Sequence, residues 1–292
     1  MNIVKIYELF PTEADCIAHL ERVRWHGTPI CPYCKSDRIT PMPSGHRHHC
    51  NGCNTTFSVT VDTIFHHTHL DLQKWFLAIS LVLNAKKGIS SRQLARDIGV
   101  NKDTAWYVGM RIRNSMFEQP ELMRGIVEMD ECYIGGKPRK GNGPHSGPPH
   151  KRGRGTDKIP LVGMLERGGR VIARPVSKDK LNSKSLAKFV RDNVDVNDAM
   201  LITDEYGGYV TIKTFMPHAV INHQVCYADG EIHTNSIEGF WGLFKRGIIG
   251  QYHKVSLQHL HQYAVEFCYR YTHRNNPAIF EMTLARAVGV TA

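Results

Sequence analysis

Apolar positions recur along this chain at two spacings, and each spacing predicts a different kind of element. Leu72, Trp75, Phe76, Ile79 and Leu83 fall at helical intervals, so residues 71–84 (DLQKWFLAISLVLN) are expected to form a buried helix. Next, Ser90 and Gln93 suit a capping box for a short helix through Asp97. Gly99 breaks that helix, and Asn101 can cap the one that follows. Ala95, Gly99 and Val108 then supply the small contact residue, the turn glycine and the apolar core residue of a helix-turn-helix. Further on, GIVEMDECYI at 125–134 reads as a strand ended by Gly135-Gly136. Residues 159–176 read as two strands about Gly168-Gly169, a hairpin signal. Residues 183–194 form an amphipathic helix, and 199–203 (AMLIT) a short apolar strand. A final helix is expected from about Ser236, with Ile237, Phe240, Trp241 and Phe244 as its core stripe. A helical first half and a strand-rich second half make this an α+β multidomain chain.

Composition narrows the class. The 292 residues are about two domains' worth. Hydrophobic residues at 41% and charged residues at 22% exclude a wholly disordered chain. The longest apolar run, Trp75 to Leu83, falls short of the roughly twenty residues that cross a bilayer, so no membrane partner is expected. MNIVKIYELFPTEADC lacks the basic start, apolar stretch and cleavage site of a signal peptide, which points to the cytoplasm.

The net charge of +10 sits mostly in two blocks. Residues 136–158 hold Lys137, Arg139, Lys140, Lys151, Arg152, Arg154 and Lys158 against Asp157 alone. Residues 85–116 hold Lys86, Lys87, Arg92, Arg96, Lys102, Arg111 and Arg113 against Asp97 and Asp103. Two concentrated blocks suit two contacts with a phosphate backbone. On the second helix of the pair, Lys102, Thr104 and Tyr107 lie near the start, with Arg111 and Arg113 further along. That arrangement suits a major groove flanked by phosphates. An ordinary helical hairpin in a larger core is the competing reading.

Of eight cysteines, four fall as Cys31-x2-Cys34 and Cys50-x2-Cys53, the spacing of a four-thiolate zinc ribbon. In so short a segment one structural Zn²⁺ can supply on the order of 10 kcal/mol of folding energy. His46, His48 and His49 lie just before Cys50, so one of them could replace a thiol. Cys16, Cys132, Cys226 and Cys268 are dispersed and read as buried thiols of a reducing compartment.

Three acidic positions fall on suitable elements. Asp130 lies inside a strand, and Asp204 stands at the end of another. Asn235, Glu238, Gly242 and Lys245 form one polar stripe about 80° wide on the last expected helix. Phosphodiester cleavage with two Mg²⁺ requires hard oxygen ligands around ions about 4 Å apart, and such a set can supply them. Glu128, Glu131 and Glu205 compete for these roles, and Asn235 with Glu238 is also an ordinary helix cap.

From about Trp25 to Pro277 the chain resembles the bacterial insertion-sequence transposases of the DDE superfamily that carry an N-terminal zinc ribbon, the ISXO-type group. The resemblance rests on CPYC…CNGC, DECYIGGK at 130–137, TDEYGGY at 203–209 and HTNSIEGFWGLFKRGIIGQYH at 233–253, in that order. It implies a zinc-ribbon region at 1–67, a helix-turn-helix domain at 68–120, and an RNase H-like α/β catalytic core with a mixed sheet at 124–292, carrying the basic loop 136–158. Asp130 and Asp204 match the first two catalytic aspartates. Glu238 is preferred as the third metal carboxylate, since an anionic oxygen holds Mg²⁺ better than an amide, with Asn235 as the alternative. Lys245, with Arg246 beside it, would meet the DNA backbone. The implied cofactors are two Mg²⁺ (or Mn²⁺) per active site and one structural Zn²⁺. The implied partner is double-stranded DNA, both element ends and target, bound by a homodimer or larger assembly at the prokaryotic nucleoid. Competing functions are a catalytically silent, transposase-derived DNA-binding regulator and a zinc-binding nuclease acting on RNA.

Overall fold

The computed structural model describes residues 1–292 apart from 44–45, 119–120, 136–157, 223–227, 229 and 290–292. The chain divides into two compact units, Met1–Met116 with Arg274–Ala292, and Phe117–His273.

The first unit opens with two helices that the apolar pattern did not announce, α1 (Ile3–Leu9) and α2 (Glu13–Trp25). Their apolar stripes are sparse: α1 buries only Ile6, and α2 only Cys16, Leu20 and Trp25. Capping defines them instead. Asn2 accepts the Lys5 N–H, and Thr12 with Asp15 forms a reciprocal capping box. The ribbon follows as an antiparallel sheet, β1 (Ile39–Pro41), β2 (Arg47–Cys50) and β3 (Thr55–Ser58). It is joined to α2 by aromatic edges, with Trp25 lying T-shaped against His48 and Phe57. The Arg24 guanidinium adds bonds to the Val59 and Val61 carbonyls, both at 2.6 Å.

Helix α3 (Leu72–Asn84) is the hub of this unit and is buried on nearly every side, from Leu72 and Trp75 round to Val82. Around it lie α4 (Ser91–Ile98) and α5 (Lys102–Ser115). Their boundaries follow local signals: Ser90 accepts from Gln93 N–H, Gly99 ends α4 at φ 66°, and Asn101 accepts from Thr104 N–H. A last helix, α9 (Ile279–Ala287), completes the core, with Phe280 edge-on to Phe76 and Arg286 Nε donating to the Ser115 carbonyl. The segment from Arg274 thus groups with the N-terminal residues and departs from the expected 124–292 division. The reason is physical: Phe280, Leu284 and Ala287 bury their faces in the first unit's core.

The second unit is a five-stranded mixed sheet in the order β6-β5-β4-β7-β8. Strand β4 (Met123–Ile134) pairs antiparallel with β5 (Ile159–Glu166), and β5 with β6 (Val171–Pro175). On its other side β4 runs parallel to β7 (Val194–Thr203), and β7 to β8 (His218–Val220). Helix α6 (Ser183–Arg191) covers one face, its Leu186 and Val190 packing with Met123, Val127, Met129 and Leu201. Helices α7 (Asn235–Gly247) and α8 (Leu257–Thr272) belong to this unit as well, with Phe244 edge-on to Phe267. The expectation of a final helix near Ser236 is corrected here, since α8 and α9 both follow it. The α8 stripe of Leu260, Tyr263, Ala264 and Phe267 has full helical spacing and is buried. Central strand β5 is buried on both faces and is nearly continuously apolar, whereas β4 carries Glu128, Asp130 and Glu131 among its buried apolar residues.

Candidate functional site

Among the described residues, one group of side chains in each unit has chemical character. In the first unit, two equivalent knuckles aim four thiols at one point. Each knuckle closes with a backbone bond four residues on, Lys35 N–H to Cys31 O and Asn54 N–H to Cys50 O, and Lys35 and Asn54 both take positive φ. Gly52 allows the knuckles to meet, because a Cβ there would lie 2.9 Å from Ser36 Cβ. The four sulfurs lie within 4.8 Å of one another, with Cys31–Cys53 at 3.7 Å and Cys34–Cys50 at 3.5 Å. Four thiolates around Zn²⁺ at about 2.3 Å require sulfur–sulfur edges of roughly 3.8 Å, so the donor set fits that ion. His48 does not share in it. Its ring is buried between Trp25 and Phe57, and Nε2 donates to Glu21 at 2.8 Å.

In the second unit, β4 carries three carboxylates, Glu128, Asp130 and Glu131. Glu128 pairs with Ile202 on the parallel strand β7, so two residues further on Asp130 comes level with Asp204, just past the strand's end. On the other side Asp130 pairs with Gly163 of β5. A Cβ on Gly163 would lie 2.6 Å from the Trp241 indole, so this glycine is the seat on which α7 rests. Burial, with the carboxylates of Glu131, Asp204 and Glu238 nearby, pushes the Asp130 carboxyl up to about 7. Strand end, strand centre and helix therefore bring Asp130, Asp204 and Glu238 into one field. Lys245, on the same helix, lies close enough to oppose the upward push that burial gives the Cys132 thiol. It is exposed, as are Asn235, Glu238 and Arg246.

Local bonds fix these groups. Asp204 accepts the Tyr206 N–H at 3.0 Å, and Tyr206 hydroxyl donates to Leu181 O. Tyr209, fully buried, donates to Glu131 at 2.5 Å, and burial and that carboxylate keep the phenol protonated. Glu131 is thus already engaged. Glu128 is engaged too, fully buried and bonded to Arg167 and to the start of α7. Among the described residues, the four thiols are the one group of three or more His, Cys, Asp or Glu ligand atoms closed to single-ion range.

The expected DNA contacts divide. Lys102 and Tyr107 are exposed at the start of α5, and Thr104 is half-buried. Arg111 stacks over Tyr107 and spends its guanidinium on the Ile64 and His66 carbonyls. Arg113 is corrected: it is 3% exposed and folds back over Gly109 toward Met110. A guanidinium held there does not reach a phosphate. Arg139, Lys140, Lys151, Arg152 and Arg154 lie outside the described residues. Arg167, His233, Thr234 and Gly163 support the acidic set without having been singled out in the sequence, and Trp241 was read there only as a core residue. The one available signal was the i, i+2 spacing of Glu128 and Asp130, which shares a strand face.

Acidic groups gathered on a mixed sheet, in a chain that also carries a four-thiol ribbon, point to the DDE class of transposases. Known proteins place the chain there. It belongs to the ISXO2-like transposase family, whose domain matches residues 122–272, and a transposase zinc-ribbon domain matches residues 11–56. The first match falls wholly within the second unit and ends with α8. An uncharacterized protein in transposable element ISH50 of Halobacterium salinarum is 27% identical over 249 residues, covering 81% of this chain and 83% of that protein. Among solved structures, the Mos1 strand transfer complex is 12% identical with a TM-score of 0.30 over 73% of this chain and 74% of that one. A pre-cleavage Mos1 transpososome is also 12% identical, with a TM-score of 0.28 over 99% and 97%. Overlap that low bears on neither fold nor chemistry here. Among the described residues no helix is long and apolar enough to cross a membrane.

Proposed function

We propose that this transposase binds the terminal inverted repeats of its element as double-stranded DNA and catalyses metal-dependent strand cleavage and strand transfer. The observation that carries the reading is the β4–β7 register, which brings Asp130 level with Asp204, with Glu131 and Glu238 close enough to help push the Asp130 carboxyl up. Acidic groups crowded in this way are held apart in energy until a cation joins them. Asp130, Asp204 and Glu238 are the residues that would hold two Mg²⁺ or Mn²⁺, with Asn235 as the alternative to Glu238. When bound, such ions supply a water or 3′-hydroxyl nucleophile and stabilise the leaving oxygen. Lys245 and Arg246, exposed on the outer side of α7, meet the phosphate backbone near the scissile bond.

The sheet supports an RNase H-like core. Counted within its unit, the strand order is 3-2-1-4-5, the first three antiparallel and the last two parallel to the first. The α4–α5 pair acts as the helix-turn-helix, presenting Lys102, Thr104 and Tyr107 to the major groove. Cys31, Cys34, Cys50 and Cys53 hold one structural Zn²⁺. The basic residues Arg139, Lys140, Lys151, Arg152 and Arg154 add phosphate contacts, and a homodimer or larger assembly joins two ends in the prokaryotic cytoplasm.

The test is end binding and Mg²⁺-dependent cleavage by Asp130→Ala and Asp204→Ala. Both variants should bind element-end DNA and fail to cut it. Normal cutting by both overturns the assignment. Binding without nicking by the unaltered chain, in Mg²⁺ and Mn²⁺ alike, assigns it instead as a silent DNA-binding regulator.

A further inference from the structure

On the strand face that carries Asp130, the residue one pleat earlier is Glu128, and it is fully buried. Its Oε2 accepts the backbone N–H groups of Ser236 and Ile237, both at 2.9 Å. Its Oε1 accepts from Arg167 Nε at 2.7 Å. Arg167 then donates through Nη2 to His233 Nδ1 and to the His233 carbonyl, at 2.9 and 3.0 Å. Its own backbone N–H is held by Ile126 O on β4.

This is an unusual way to start a helix. The free N–H groups of a first turn are ordinarily met by the side chain of the cap residue. The cap residue of α7 is Thr234, whose side chain makes no such bond. Its hydroxyl, also buried, donates to Glu238 Oε1 at 2.8 Å. The first turn is served by a carboxylate from β4 instead. Helix start and strand are therefore locked in register, and the residue after Ile237 is Glu238. A buried carboxylate is costly unless its charge and lone pairs are met, and here Arg167 and two amides meet them.

We propose that Glu128, backed by Arg167, is a positioning residue: it pins the start of α7 to β4 so that Glu238, steadied by Thr234, is presented to Asp130. This rests on the reading of Asp130, Asp204 and Glu238 as the metal carboxylates. Residues that orient ligands in this way typically change metal affinity by 10–100-fold when altered.

The experiment is a Mn²⁺ titration of the zinc-loaded full chain without DNA, followed by electron paramagnetic resonance of free Mn²⁺, with thermal unfolding run beside it. Glu128→Gln should fold and bind Mn²⁺ at least about tenfold more weakly. Glu266→Gln serves as a control, altering another fully buried carboxylate on α8. It should lower thermal stability and leave Mn²⁺ affinity unchanged. Thr234→Val buries no unpaired charge and should also weaken Mn²⁺ binding; it decides the matter if Glu128→Gln does not fold. If either folded variant binds Mn²⁺ as the unaltered chain does, positioning by this clamp is wrong. Asp130→Asn separates the two ideas. Loss of Mn²⁺ binding there, with none in Glu128→Gln, rejects the clamp alone; unchanged binding in Asp130→Asn rejects the metal site itself.

Discussion

The indole of Trp241 occupies the space where a side chain on Gly163 would begin, and Gly163 is the residue paired with Asp130 across the β4–β5 ladder. The helix that carries Glu238 and Lys245 therefore rests beside the carboxylate it has to meet. A methyl group at Gly163 would press on a rigid ring 2.6 Å away and on the Ile172 carbonyl 3.2 Å away. Overpacking of this kind costs about 1–3 kcal/mol. Gly163→Ala is expected to lower the urea midpoint accordingly and to slow cleavage more than end binding. Unchanged denaturation would mean that α7 can shift freely.

Protonation of Asp130 gives a second expectation. Its carboxyl stands at about 7 in the folded chain against 3.8 for a free aspartate, because of burial and then its acidic neighbours. A raised carboxylate stabilises the fold while protonated. That contribution is fully present below the unfolded value and is lost as pH rises through about 7. Without Mg²⁺, the zinc-loaded protein should melt at a lower temperature at pH 8 than at pH 6, and Asp130→Asn should reduce the difference. Mg²⁺ affinity should fall about tenfold per unit below the folded value, since a proton must leave first. Calorimetric titrations across pH 5.5–8.5 check both.

The four-thiol site predicts a local failure. Cys31→Ser or Cys50→Ser should abolish stoichiometric zinc, measured by metal analysis. Limited proteolysis should then open the segment between Gly27 and Ser58 while the second unit stays resistant. Retained zinc with an intact segment would rule out the ribbon.

Exposure separates two cations on α5. Lys102 is exposed and Arg113 is 3% exposed. Lys102→Ala should reduce the salt slope of end binding by about one. Arg113→Met should lower stability and leave the slope alone. Slopes measured from 50 to 300 mM KCl decide, and a reversed pattern would mean that α5 meets DNA by another face.

The proposed third metal ligand, Glu238, can be tested against its alternative, Asn235. Glu238→Gln should remove Mg²⁺-dependent cleavage, and Asn235→Ala should keep it, both with normal end binding. The opposite result would make Asn235 the ligand.

What the sequence determined by itself was everything set by neighbours along the chain. Two Cys-x2-Cys knuckles need only a few bonds each, so their spacing alone announced the thiol cluster. Ser90, Gly99 and Asn101 act on their own turns, so α4 began and ended, and α5 began, where those residues said. Asp130 was a candidate because it lies inside a strand, but Glu128 and Glu131 lie there too, and spacing alone did not choose among them. Tertiary structure decided the rest, because burial and partner choice depend on residues far apart in the chain. Glu128 and Asp130 share a strand face and a chemistry, yet one is locked to Arg167 and the α7 amides while the other comes level with Asp204. Glu131 points across the sheet to Tyr209. Arg111 and Arg113 are equally basic in sequence, and only packing turns both from solvent, one to carbonyls and one into the core. Helix α9 found its partners in α2, α3 and α5 because its apolar face matched the core there, and a periodicity carries no address.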